Sequence, residues 1–225
     1  MASKSHTDRE YEAELDRLRQ QLLLMGAKVE EMLALSMRSL TQQDAELARR
    51  VIDLDQPVDT LEMEIDGLCM SVLARRQPVA SDLRFVTSAL KLVTDLERIG
   101  DLAVNVGERV IELQQAPPLP EVEALPAMAD AVQGMIRDAL DAFVRGDAAL
   151  ARQVIGRDKA VDAHYNAVFS RLLSYMVEHP RDIFPATRLQ SIAKYLERVG
   201  DHATNLAEMV VFMVSREDIR HRGKE

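Results

Sequence analysis

The chain is short of aromatic residues, which make up 4% with no tryptophan, and it has a single cysteine among 225 residues. Lone Cys69 excludes an intrachain disulfide, leaves the chain neutral to a reducing compartment, and is most simply a small core residue. No surplus of positive charge exists: the formal net charge is −9. That balance argues against a nucleic-acid scaffold, which would show a basic stripe, and suits cations or basic partner patches. No apolar run approaches the ~18 residues of a membrane span, and the opening MASKSHTDRE is polar, so neither a span nor a signal peptide is expected. A cytoplasmic protein is the expectation. Catalytic signatures are missing too. There is no Gly-rich phosphate loop, no HExxH, no placeable Ser/His/Asp grouping, and no Glu-x-x-His pair of the buried di-iron bundles. The reading from these absences is a protein that is not an enzyme.

What is present is helical. Ala, Leu, Val, Met, Arg and Glu dominate, and hydrophobic residues make up 47%, ample for a helix-on-helix core. Leu15, Leu18, Leu22, Met25, Val29, Met32 and Leu40 recur at threes and fours and predict a first helix over 8–40. Asp44 is placed to cap a second, running to about 76, on which Leu47, Val51, Leu54, Val58, Leu61, Ile65, Leu68 and Val72 form a bundle seam. Pro57 lies inside it and is predicted to remove one backbone bond and bend the helix. A third helix spans 82–114. Pro117, Pro118 and Pro120 then stop the pattern and form a semi-rigid spacer. Further helices are predicted over 121–145, 147–178 and 185–214, with a charged, frayed tail after Ser215.

The second half repeats the first. DAELARRVIDLDQPVD at 44–59 and DAALARQVIGRDKAVD at 147–162 agree at ten of sixteen positions. LERIGD at 96–101, with Ala103 and Asn105, returns as LERVGD at 196–201, with Ala203 and Asn205. The fold class that follows is all-α: a tandem duplication of an antiparallel three-helix bundle, six helices in all. The first bundle takes residues 1–116 and the second 121–225.

Acidic residues stand out in this repeat. Glu97 and Asp101 lie four apart, as do Glu197 and Asp201, and like charges at that spacing repel by roughly 0.2–0.5 kcal/mol on an exposed helix. A second pair precedes each: Asp55 and Asp59, then Asp158 and Asp162. At ~100° per residue, Glu97 and Asp101 fall roughly 120–160° round from the apolar stripe of their helix, and Asp55 and Asp59 about 80–120° in the same sense. On antiparallel neighbours such flanks either face each other or face apart. If they face, four carboxylates converge in a shallow groove on each bundle, an oxygen-rich site for a hard or borderline cation.

The ordinary alternative is a solvated acidic helix face, and Glu62 and Asp66 are read that way. Against it, both pairs survive duplication while surface neighbours such as Asp53/Gly156 and Gln56/Lys159 do not. Arg98 and Arg198 project ~100° from their glutamates, so partners on adjacent helices are expected. Gly100 and Gly200 read as close helix approaches, or else as room for a ligand. His164 and His202 read as solvated histidines, or else as extra nitrogen ligands at the second site. The carboxylates are expected to be exposed, without raised pKa values.

LERIGDLAVN, LERVGDHATN and the preceding Asp-x-x-Val-Asp pairs resemble the PhoU family, and the resemblance covers nearly the whole chain. It implies E(D)xxxD metal sites at Asp55, Asp59, Glu97 and Asp101, and again at Asp158, Asp162, Glu197 and Asp201. Iron or zinc clusters come first, with manganese or magnesium as alternatives. It implies a cytoplasmic, non-enzymatic negative regulator joining a phosphate-importing ABC transporter to a membrane sensor histidine kinase. Acidic faces and Met-rich seams favour pairing, and a homodimer is expected. Two other readings use the same residues: a metal-dependent hydrolase or metal-storage protein, and a metal-free helical interaction module.

Overall fold

The computed structural model describes residues 6–119 and 123–215, and every regular element among them is helical. The elements are α1 (His6–Gln42), α2 (Ala45–Asp53), α3 (Asp55–Arg76), α4 (Ala80–Leu113), α5 (Leu125–Arg145), α6 (Ala148–Glu178) and α7 (Ile183–Ser215), with a 3₁₀ turn over Pro180–Asp182 before the last. The expected tail after Ser215 and the last proline of the expected spacer, Pro120, lie outside the described residues.

The duplication shows at the helix starts. Asp44 accepts the backbone N–H groups of Glu46 and Leu47, and Asp147 accepts those of Ala149 and Leu150. Each carboxylate satisfies two donors that a helix N-terminus leaves open and meets the positive end of the dipole. Further on, Asp82 and Asp182, 100 residues apart, accept hydrogen bonds from Tyr11 (2.9 Å) and Tyr175 (3.0 Å).

Pro57 does more than bend its helix. The break falls at Leu54, three residues upstream, and α3 restarts at Asp55 with Pro57 in its first turn. There the missing N–H has no intrahelical partner to lose, whereas the ring would clash with the carbonyl four residues back in an unbroken helix. The second copy has Ala160 at this position, and α6 runs through unbroken.

α1, α2–α3 and α4 pack as one three-helix unit, and α5, α6 and α7 as the other. The two share a single buried cluster, because α4 lies against α7 and α1 against α5. Glu112 pairs with Arg188, and Asp95 meets His202 and Asn205, so α4 and α7 run antiparallel. Glu30 pairs with Arg137 at 3.4 Å, and Gly26 lets α1 approach so closely that a Cβ there would stand 2.5 Å from Leu140 Cδ1. The pseudo-two-fold axis relating the copies swaps and reverses α4 and α7, so it stands perpendicular to the plane of that pair. The solvent edges of both helices therefore look out from the same side of the molecule.

The paired glycines are packing residues. A Cβ on Gly100 would meet Val58, Met32 and Val29 at 3.5–3.9 Å, and one on Gly200 would stand 3.1 Å from Val161. They face the core, with no room for a ligand on that side.

Candidate functional site

The acidic flanks of neighbouring helices face each other. Asp55, at the first position of α3, is raised above the usual carboxylate range by burial, by Asp59 on its own helix and by Asp101 across on α4. Glu97, 17% exposed, is pushed up to about 7, first by burial and then by the adjacent Asp101 carboxylate; Glu62 on α3 adds to this, and Arg98 opposes it. Glu62 itself is raised by burial and by Asp66, Asp59 and Asp101. It therefore belongs to the groove rather than to a separate solvated face. Here the structure corrects two expectations. Asp55, Glu97 and Glu62 are partly desolvated and raised, because each helix shields the inner side of the other's acids. Arg98 also stays on its own helix, reaching Glu97 at 3.4 Å and Asp101 at 3.1 Å. Its long side chain folds back over the i, i+3 neighbour, which counting only the angle to Glu97 overlooks.

The second groove repeats the first with different neutralising groups. Thr204 on α7 donates to Asp158 on α6 at 3.1 Å. Asp201 is raised by burial of its inner edge and by Glu197, Asp158 and Asp162, with Lys194 working against them. The Lys194 ammonium lies 2.6 Å from Glu197 and 5.2 Å from the centre of the Tyr165 ring. Position 94 in the first copy is threonine, so the two grooves share the paired acids of the repeat but draw on different cations. Asp59 and Asp162 are exposed at the groove mouths.

Among the described residues, no three or more His, Cys, Asp or Glu side chains stand in an arrangement that could hold a metal ion. The donors that share each groove are carboxylate oxygens, a set that suits hard or borderline cations. Their mutual repulsion in a partly desolvated cleft is the charge surplus that a cation would cancel.

Between the grooves lies a contact that periodicity does not reveal. Asp95 Oδ1 accepts from His202 Nδ1 at 2.8 Å and from Asn205 Nδ2 at 3.1 Å, joining α4 to α7 beside a cleft of ≈ 360 Å³. His202 is thus a half-buried seam residue rather than a solvated one, and it is committed to Asp95. Its counterpart in the first copy is Leu102, and that of Asp95 is Tyr195, so the pair has no image under the repeat. His164 is exposed.

A duplicated three-helix bundle with one acidic groove per copy, both opening on one side, defines the class of protein. The PhoU domain matches the chain twice, over residues 22–110 and 125–210. The chain belongs to the PhoU family. It is 41% identical over 220 residues to the phosphate-specific transport system accessory protein PhoU homolog of Pseudomonas putida, covering 97% of this chain and 86% of that one. The corresponding protein of Escherichia coli K12 is 35% identical over 218 residues, covering 97% and 90%. The crystal structure of PhoU from Pseudomonas aeruginosa superposes with a TM-score of 0.90 at 40% identity, over 92% of this chain and all of that one. That of the phosphate transport system regulatory protein PhoU from Streptococcus pneumoniae gives 0.85 at 29%, over 92% and 98%.

Proposed function

We propose that the protein is a metal-binding negative regulator of phosphate uptake and phosphate-starvation signalling. In this reading it is a cytoplasmic adaptor between a phosphate ABC transporter and a sensor histidine kinase, and it works as a homodimer by binding rather than by catalysis. The relatives' names, accessory and regulatory proteins of phosphate transport, support the physiological half. The observation that carries the molecular half is the pair of grooves, in which Asp55 and Glu97 of one and Asp201 of the other are raised by burial and by neighbouring carboxylates. Asp55, Asp59, Glu97 and Asp101 would hold one metal centre, and Asp158, Asp162, Glu197 and Asp201 the other. Iron or zinc is the first choice, with manganese or magnesium next. A bound cation would supply positive charge, and the carboxylates would hold it where that charge can attract an anion or a partner's side chain.

Metal analysis of protein purified anaerobically tests the site. Wild type should carry stoichiometric metal, Asp101→Ala and Asp201→Ala about half each, and the double variant almost none. Metal-free wild type would leave a purely helical interaction module. Deleting the gene tests the role: phosphate-responsive transcription should become constitutive at high phosphate, and an unchanged response would overturn the regulatory reading. The raised Glu97 is the one observation favouring a hydrolase instead. Phosphoester hydrolysis that is lost in Glu97→Gln would establish that alternative.

A further inference from the structure

α3 carries an apolar strip that nothing among the described residues covers. Met63 is 67% exposed and Met70 61%, two turns apart on the outward side of the helix. Gly67 lies between them in the helix interior, where glycine costs about 1 kcal/mol relative to alanine. A Cβ there would meet no atom within 4 Å, so no contact inside the molecule requires the glycine. Gly134 and Gly156 are equally open, but no large exposed apolar side chain flanks either on its own helix. At 100° per residue, Gly67 falls about 40° round from Met63 and 60° from Met70, on the Glu64 side, and opens a shallow notch beside the two flexible thioethers.

The borders of the strip are acidic. Glu62 and Asp66 line its α4 side, where they form one wall of the first groove. Glu64 lines the α1 side, held by Gln21 at 2.9 Å. The second copy lacks this arrangement. Positions 62, 64 and 66 become Tyr165, Ala167 and Phe169, and Met63 becomes Asn166. Duplication kept the acids of Asp55, Asp59, Glu97 and Asp101 in both halves but placed an acid-bordered methionine strip in the first alone.

We propose that this strip is a docking surface for a basic amphipathic helix of a partner protein. Apolar side chains of the partner settle on Met63 and Met70, its backbone comes closest at Gly67, and its lysines or arginines reach Glu62, Glu64 and Asp66. Charge selects the occupant. A second copy would bring the same acids against these, and an anionic membrane would be repelled, whereas a helix with basic borders complements both edges. The inference deepens the adaptor reading by naming the chemistry of one partner. It is read in vitro, independently of transcription.

The test is a titration of the full-length protein with a synthetic helix of about 20 residues, leucines on one face and lysines on the other, against a control with glutamates replacing the lysines. Only the basic peptide should bind, and rising salt should weaken it. The Met63→Ser/Met70→Ser variant should lose about tenfold in affinity. Leu173→Ser, at the Met70 position of the second copy, should lose nothing. Gly67→Lys separates folding from docking: its side chain enters open space, so melting should not drop while peptide binding fails. Equal binding of the peptide to all variants, or no binding to wild type, overturns the proposal. So does self-association that disappears in Met63→Ser/Met70→Ser, which would give the strip to a second copy. Strip-dependent binding to anionic phospholipid vesicles would give it to a membrane and overturn the proposal equally.

Discussion

Glu97 holds a proton that the unfolded chain would release. Its carboxyl titrates near 7 in the fold and near the ordinary 4.5 outside it. Between those values the folded state binds more protons than the unfolded one, so the stability of metal-free protein falls as pH rises through about 4.5 to 7. Outside that window Glu97 adds no slope. Thermal melts in a chelator should show the decline, and Glu97→Gln should flatten it. A steep slope retained in the variant would place the effect elsewhere. The same residue shows what composition and spacing conceal. That Glu97 and Asp101 repel was readable from their separation of four. That Glu62 joins them, and that Arg98 turns back on its own helix, depends on how closely α3 shields α4 and on a flexible guanidinium.

At the scale of the element, the caps are the cleanest test. Asp44→Ala and Asp147→Ala should each cost about 1 kcal/mol by urea denaturation, from the loss of two backbone acceptances at a helix start. The two costs should add, since the caps belong to different units and share no partner. Helix positions, the caps and the duplication were legible because each rests on local chemistry: apolar residues at threes and fours, an aspartate before the first turn, the same motif twice. Pro57 was half legible. Its effect on the helix was foreseeable, but the break moved to Leu54, where the chain discards its strain at the next free hydrogen-bonding position. The Asp95–His202–Asn205 contact was not legible at all. It joins residues over a hundred positions apart, and the second copy holds no image of it to betray it.

Across the whole molecule, the two units share their core. Leu119, just past the first unit, is buried beside Leu40, Val110, Leu113 and Leu189, and Phe85 of α4 stacks on Phe143 of α5 at 5.8 Å. A fragment ending at residue 119 would expose the α4 and α1 surfaces that α7 and α5 cover. The full chain should therefore melt in one transition seen alike by near- and far-UV circular dichroism. The fragment should keep its helices but lose near-UV signal and bind a hydrophobic dye. A fragment melting cooperatively with native near-UV signal would show that the units are energetically independent.

The antiparallel crossing of α4 and α7 has a consequence for valency. Because the axis relating the copies stands upright on that pair, both acidic grooves open on one side, two helix spacings apart, or about 16–20 Å. The fold thus fixes a ruler. A ligand bearing two groups at that spacing would meet both grooves at once, and its second contact would form at an effective concentration set by a rigid frame rather than by diffusion. Avidity would then rise far beyond what either centre achieves alone, and blunting one groove would remove most of it. Duplicating a three-helix unit in this orientation would turn a weak single grip into a two-point hold.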